Sequence, residues 1–130
     1  MKCDDLALLA RGAELVAGDL GDAALVQRLC RGVDAVVHCA GAVGVWGRYA
    51  AFHQANVTVT ENVVEACLGQ QVRRLVHLSS PSIYFDGRDH LGLTEEQVPK
   101  RFKHPYAATK YLAEQKVFGA QEFGLETIAL

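Results

Sequence analysis

Short apolar runs of strand length alternate with helical stretches along the whole chain, and each run ends in small or polar residues. Leu6 to Arg11 reads as the tail of a helix closed by Gly12. Ala13 to Ala17 is a first strand candidate, ending in Gly18-Asp19-Leu20. Asp22 suits the N-cap of the next helix, which turns Leu25, Val26 and Leu29 inward and stops at Gly32. Val33 to His38 is apolar on both faces, as strands of parallel sheets are, and runs into the bend Cys39-Ala40-Gly41-Ala42. Tyr49 to Gln70 places Phe52, Ala55, Val59, Val63, Ala66 and Cys67 on one helical stripe. Arg73 to Ser79 is a third strand, followed by a polar, irregular stretch from Pro81 to His104. A helix opens at Pro105, turns Ala108, Tyr111, Leu112 and Phe118 inward and is closed by Gly124; Glu126 to Leu130 begins a fourth strand. Such alternation predicts an α/β fold with a parallel sheet and right-handed crossovers. Ligands of such sheets bind beyond the carboxyl ends of the strands, and Asp19, Cys39 to Ala42, and Ser79-Ser80 all fall at such ends.

The 130 residues suffice for one domain. With 22% charged residues and a net charge of −2 the chain lacks any basic patch, so nucleic acid is not indicated. The apolar run from Ala35 to Trp46 is interrupted by His38 and too short to span a bilayer, and Asp4 and Asp5 stand where a signal peptide needs apolar residues. Cys3, Cys30, Cys39 and Cys67 show no Cys-x-x-Cys spacing. Buried free thiols in a cytoplasmic protein, with no metal site, are expected.

Tyr106 and Lys110 sit four apart at the start of the Pro105 helix, so they share one face. A tyrosine alone is a poor base, but a fixed positive charge stabilises a phenolate and brings proton transfer to an alcohol oxygen within reach of neutral pH. Tyr-x-x-x-Lys also occurs on ordinary solvated helix faces. The other strand-end residues change its meaning. Alcohol–ketone interconversion needs a nicotinamide lying in a cleft, a hydroxyl on the substrate oxygen and a base for its proton. Ala40-Gly41-Ala42 is small enough for close cofactor approach; Asp19 can accept from an adenine amino group or a ribose hydroxyl; Ser80 can hold the substrate oxygen; Lys110 can also donate to a ribose hydroxyl. Each has a plainer alternative. Gly18-Asp19 can be a turn before a helix cap, Ala40 to Ala42 a strand–loop bend, and Ser79 and Ser80 ordinary strand-end hydrogen bonders. His38 reads as a satisfied buried histidine, His104 as an exposed residue before the helix, and Trp46 as packing against the sheet or a substrate. Asn56, on the apolar stripe, must be buried and hydrogen-bonded near the strand ends.

Taken in order, Gly18-Asp19-Leu20, Val37-His38-Cys39-Ala40-Gly41, Asn56-Val57, Leu78-Ser79-Ser80-Pro81-Ser82-Ile83-Tyr84 and Tyr106-Ala107-Ala108-Thr109-Lys110 with Ala113-Glu114 resemble the extended short-chain dehydrogenase/reductase superfamily. Within its NAD-dependent epimerase/dehydratase group, the pattern is most similar to the 3-beta-hydroxysteroid dehydrogenase and sterol-4-alpha-carboxylate dehydrogenase-like branch. The resemblance implies Ser80, Tyr106 and Lys110 as catalytic residues. It implies Asp19, Leu20, Ala40, Gly41, Ala42 and Asn56, with Tyr106 and Lys110, as residues around NAD or NADP; Asn56 also supports the active site. It implies a hydrophobic, sterol-like small-molecule substrate and leaves room for a homodimer in a full-length form.

The sequence also departs from the family. No Gly-x-x-Gly-x-x-Gly turn, whose glycines and helix N-terminus would hold a pyrophosphate, occurs in it. The expected architecture is therefore a partial Rossmann-like doubly wound sheet over residues 1–130, without its first two strands, glycine-rich loop or substrate domain. On this reading the chain is an internal piece of a longer enzyme. Phe85 stands where many epimerases have Gly, which weighs against a sugar-nucleotide epimerase or dehydratase. A third reading is an inactive remnant that acts only as a binding module.

Overall fold

A computed structural model of the chain describes residues 9–88 and 90–130. Cys3, Asp4, Asp5 and the beginning of the Leu6–Arg11 helix tail lie outside the described residues. Helix α1 (Ala23–Leu29) starts where Asp22 accepts hydrogen bonds from the backbone N–H groups of Ala24 (3.0 Å) and Leu25 (3.1 Å). Strand β1 (Ala35–His38) leads through the residue 39–48 loop into a continuous helical run. That run comprises α2 (Tyr49–Phe52), a π-helical segment (His53–Thr58) and α3 (Val59–Gly69). Strand β2 (Arg74–His77), a 3-10 turn (Pro81–Tyr84), helix α4 (Pro105–Gly119), a second 3-10 turn (Ala120–Phe123) and strand β3 (Glu126–Ala129) complete the order. Gly124 ends the last helical turn with φ +89°, a conformation that only glycine adopts freely.

The three strands form a parallel sheet in the order β1-β2-β3. Ala35, Arg74 and Glu126 lie side by side at its amino end, and His38, His77 and Ala129 at its carboxyl end. The α3 and α4 crossovers pack against each other and cover the sheet face bearing Val36, His38, Leu75 and His77. Between them lies the core: Val26 and Cys30 from α1, Val63, Ala66 and Cys67 from α3, Leu75 from β2, Val117 from α4, and Leu125. On the opposite face Val37 and Ile128 stay 67% and 42% exposed, flanking a half-buried Val76.

Four expectations are corrected. Ala13–Ala17 forms no strand; it is exposed along its length, because no described strand lies beside it to complete a ladder. The inner face of α4 carries Ala107, Thr109, Lys110, Ala113, Glu114 and Val117, whereas Leu112 and Phe118 are exposed and Ala108 and Tyr111 half-buried. Cys39 is exposed; Cys30 and Cys67 are buried, and all three are free thiols. Trp46 does not pack against the sheet, being 92% exposed.

Candidate active site

The carboxyl ends of the strands, the residue 39–43 bend and the first turn of α4 converge. Tyr106 and Lys110 line one small cleft with Ser79, Leu78, Cys39 and the Ala40–Val43 bend. Next to it, a groove brings Asp19 and Leu20 together with Ala40, Gly41 and Ala42. On the other side a wider hollow holds Ser79 and Ser80 with Tyr84, Glu95, Tyr111 and Glu114. Ser79 borders both the cleft and that hollow, and its buried Oγ has no hydrogen-bond partner.

Local sequence sets each side chain. His104 caps α4, its Nδ1 accepting from Ala107 N–H at 3.4 Å, and Pro105 occupies the first turn, where no N–H is needed. His104 is half-buried, not exposed, since its ring stacks on Tyr106 with centroids 6.4 Å apart. Phe52 lies 6.2 Å from the Tyr106 ring on a different side chain contact. Lys110, one turn on, is buried; its Nζ donates to the Leu78 carbonyl at 2.6 Å and lies 3.4 Å from His77 Nε2. Burial lowers the Lys110 pKa, and the Glu114 carboxylate on the same helix opposes that shift. Ser80 caps the Pro81–Tyr84 turn, its Oγ accepting from Ser82 N–H at 3.3 Å and lying 2.8 Å from Ser82 Oγ. Asp19 serves its turn and the groove together: Oδ1 accepts from Gly21 N–H at 2.8 Å while the residue lines the wall.

Asn56 joins the groove to helix α4. It is 1% exposed, accepts from Ala42 N–H at 2.7 Å, and donates to the Ala42 carbonyl (3.2 Å) and to Thr109 Oγ1 (3.0 Å). Thr109 Oγ1 in turn lies 3.0 Å from the carbonyls of both Pro105 and Tyr106, which share its one proton. The π segment follows from the same neighbourhood. Val59 N–H reaches back five residues to the Gln54 carbonyl, and the Thr60 hydroxyl donates to the Asn56 carbonyl at 2.6 Å. Gly41 fits this bracing, because a Cβ there would sit 2.9 Å from Asn56 Oδ1. Asn62 fixes the other wall by donating to the Leu20 carbonyl at 2.9 Å.

Behind the cleft lie two histidines. Thr60 gives its one hydroxyl proton to Asn56, so His38 Nε2, 2.9 Å from Thr60 Oγ1, is the donor of that pair. Burial first, and the nearby Lys110 charge second, lower the pKa of His38 to about 4 and of His77 to about 3, keeping both neutral. Among the described residues no group of His, Cys, Asp or Glu is arranged to hold a metal ion, and no helix is long and apolar enough to cross a membrane.

A parallel sheet with its crossover helices and a strand-end groove of this kind defines a Rossmann-like unit. Comparison with known proteins makes the assignment specific: the 3-beta hydroxysteroid dehydrogenase/isomerase family model matches residues 3–130, and the chain belongs to that family. The 2-alkyl-3-oxoalkanoate reductase of Stenotrophomonas maltophilia is 42% identical over 126 residues, covering 95% of this chain and 38% of that protein. The 3 beta-hydroxysteroid dehydrogenase type 7 of Homo sapiens is 33% identical over 111 residues, covering 81% of this chain and 30% of that protein. Among solved structures, dTDP-glucose 4,6-dehydratase from Streptomyces venezuelae, crystallised with NAD, superposes with a TM-score of 0.80 and 31% identity over 88% of this chain and 36% of that one. The chain thus spans about a third of the length of the relatives it matches.

Sequence reasoning missed Thr60, Asn62, His77 and Thr109. Thr60 follows Asn56 by one helical turn and Thr109 lies between the catalytic candidates, so both carried a spacing signal. His77 alternates with Leu75 on one strand face and carried the same kind of signal.

Proposed function

We propose that residues 1–130 form the cofactor-side unit of an NAD(P)-dependent oxidoreductase that interconverts a secondary alcohol and a ketone on a hydrophobic substrate. The observation that carries this reading is the burial of Lys110 beside Tyr106, with Nζ fixed on the Leu78 carbonyl in a cleft walled by the Ala40–Val43 bend. A lysine is seldom buried without a carboxylate, and among the described residues no ion pair takes this one. The groove suits a dinucleotide: its floor is Ala40-Gly41-Ala42, and Asp19 and Leu20 form the wall for an adenine end. When bound, the nicotinamide supplies the hydride chemistry. Tyr106 moves the proton at the substrate oxygen. Lys110 keeps positive charge beside the phenol and can donate to a ribose hydroxyl. Ser80 turns from Ser82 to the substrate oxygen, and Asn56 holds the bend and the helix in one register.

A greasy substrate is supported by two things. Relatives are named as reductases of 2-alkyl-3-oxoalkanoates and as hydroxysteroid dehydrogenases. In addition, Val43, which lines the cleft, and the neighbouring Trp46 are 81% and 92% exposed, an apolar rim. A sugar-nucleotide epimerase or dehydratase is the second reading, favoured by the likeness to dTDP-glucose 4,6-dehydratase.

The test joins this chain behind the glycine-loop strand–helix–strand unit of a relative and ahead of that relative's substrate domain. Turnover of a 2-alkyl-3-oxo acid or a steroid ketone with NAD(P)H is expected. Tyr106→Phe should lower kcat by several orders of magnitude with cofactor affinity nearly unchanged, because the phenol acts in the transition state. Near-normal turnover of that variant would overturn the assignment; turnover of a nucleotide sugar alone would select the second reading.

A further inference from the structure

His77 is wholly buried at the carboxyl end of β2, facing α4. A buried imidazole in a core normally satisfies both ring nitrogens or is replaced by an apolar residue. His77 does neither. Among the described residues Nδ1 has no hydrogen-bond partner, and Nε2 has one, the Lys110 ammonium at 3.4 Å. The contrast with His38, its register neighbour 5.2 Å away ring to ring, is direct: His38 Nε2 is engaged by Thr60 and makes no hydrogen bond to the lysine. Among the described residues the one hydrogen-bond partner of the His77 ring is therefore Lys110. An ammonium donates only, so a neutral His77 must present a bare Nε2 to it and carry its proton on the unpartnered Nδ1.

We propose that His77 is a positioning residue for Lys110: its Nε2 accepts one ammonium proton, the Leu78 carbonyl accepts a second, and the third is left directed to the cleft shared with Tyr106. The two acceptors come from consecutive residues of one strand end, so they fix the ammonium in direction as well as place. The acceptor also supports the charged form of a lysine that burial disfavours. The groups facing Lys110 are His77, the Leu78 carbonyl and Ser79 from the β2 end, His38 and Cys39 from the end of β1, and Tyr106 and Glu114 from α4. The proposal rests on reading Lys110 as the partner of Tyr106, but its test does not depend on cofactor or turnover.

The test is an NMR titration of the Lys110 Cε signal in the 130-residue chain, assigned by its loss in Lys110→Met. His77→Phe keeps a planar ring but removes the acceptor, and His77→Gln restores an acceptor oxygen near the Nε2 position. The Lys110 midpoint is expected to fall by about one pH unit in His77→Phe, because a hydrogen bond to the charged form is lost, and to return in His77→Gln. An unchanged or raised midpoint in a folded His77→Phe overturns the proposal. Nitrogen shifts of the His77 ring in the unsubstituted chain decide the matter if His77→Phe does not fold: a proton on Nδ1 with bare Nε2 supports it, and a proton on Nε2 overturns it. Dinucleotide binding is scored separately by calorimetry on the chain joined to a relative's glycine-loop unit and substrate domain. A joined protein that binds no NAD(H) or NADP(H), with the shift still seen in the 130-residue chain, refutes the functional reading and keeps the His77 role.

Discussion

Replacing Asn56 with alanine tests the brace between the groove and helix α4. The side chain makes three hydrogen bonds, two of them to the backbone of Ala42 and one to Thr109, from a position that is 1% exposed. At about 1 kcal/mol net for each bond, Asn56→Ala should cost about 3 kcal/mol. Unfolding entropy of about 2.1 cal/mol/K per residue gives about 0.27 kcal/mol/K for a chain of 130 residues, so Tm should fall by about 11 °C. Circular dichroism melts and urea titrations measure both quantities. Asn62→Ala is the control, since its bonds to the Leu20 and Gly21 carbonyls lie nearer solvent and should cost under about 1 kcal/mol. Asn56→Asp keeps the acceptor for Ala42 N–H, loses both donors and buries a charge. It should be at least as damaging near pH 7, and should recover as pH falls and the protonated carboxyl regains one donor. A melt of Asn56→Ala within about 4 °C of the unsubstituted chain would mean less than about 1 kcal/mol, and the brace would be refuted.

Two further outcomes follow from the same neighbourhood. His38 and His77 have folded-state values of about 4 and about 3, below an unfolded value near 6.5, so their contribution is complete above pH 6.5 and drains away as pH falls toward those values. Between pH 7 and pH 5.5 the two together should remove about 3 kcal/mol from the urea-derived stability, at roughly 1.4 kcal/mol per pH unit each; a flat profile would show that one or both become charged without unfolding. Gly41→Ala would place a Cβ 2.9 Å from Asn56 Oδ1, which three bonds hold in place, so a loss of about 1–3 kcal/mol and a shifted Asn56 amide signal are expected. An unchanged melt would show that the bend yields freely.

The pattern of elements was legible because punctuation and period agreed: Asp22 caps, Gly124 closes, and the Phe52–Cys67 stripe faces inward. The burial of Asn56 was legible for the same reason, a polar residue in apolar register. Helix α4 was misjudged because hydrophobicity does not mark its inner face. Thr109, Lys110 and Glu114 occupy that side, and Leu112 and Phe118 are left outside. Ala13–Ala17 has strand composition but no neighbour, and composition alone cannot supply the ladder. The π segment was invisible to a 3.6-residue period, which carries no mark of the five-residue bond from Val59 N–H to the Gln54 carbonyl.

The bare row of Val37, Val76 and Ile128 has a meaning in handedness. The chain steps across its sheet in one direction only, from β1 to β2 to β3. With right-handed crossovers, every step in that direction puts its helix on the same side. No further step the same way could ever roof the other side. Only strands added on the far flank of β1, wound outward in the opposite direction, can do so. The free flank of β1 is therefore the place where a winding sense would reverse, and the groove of Asp19, Leu20 and Ala40–Ala42 opens beside that reversal.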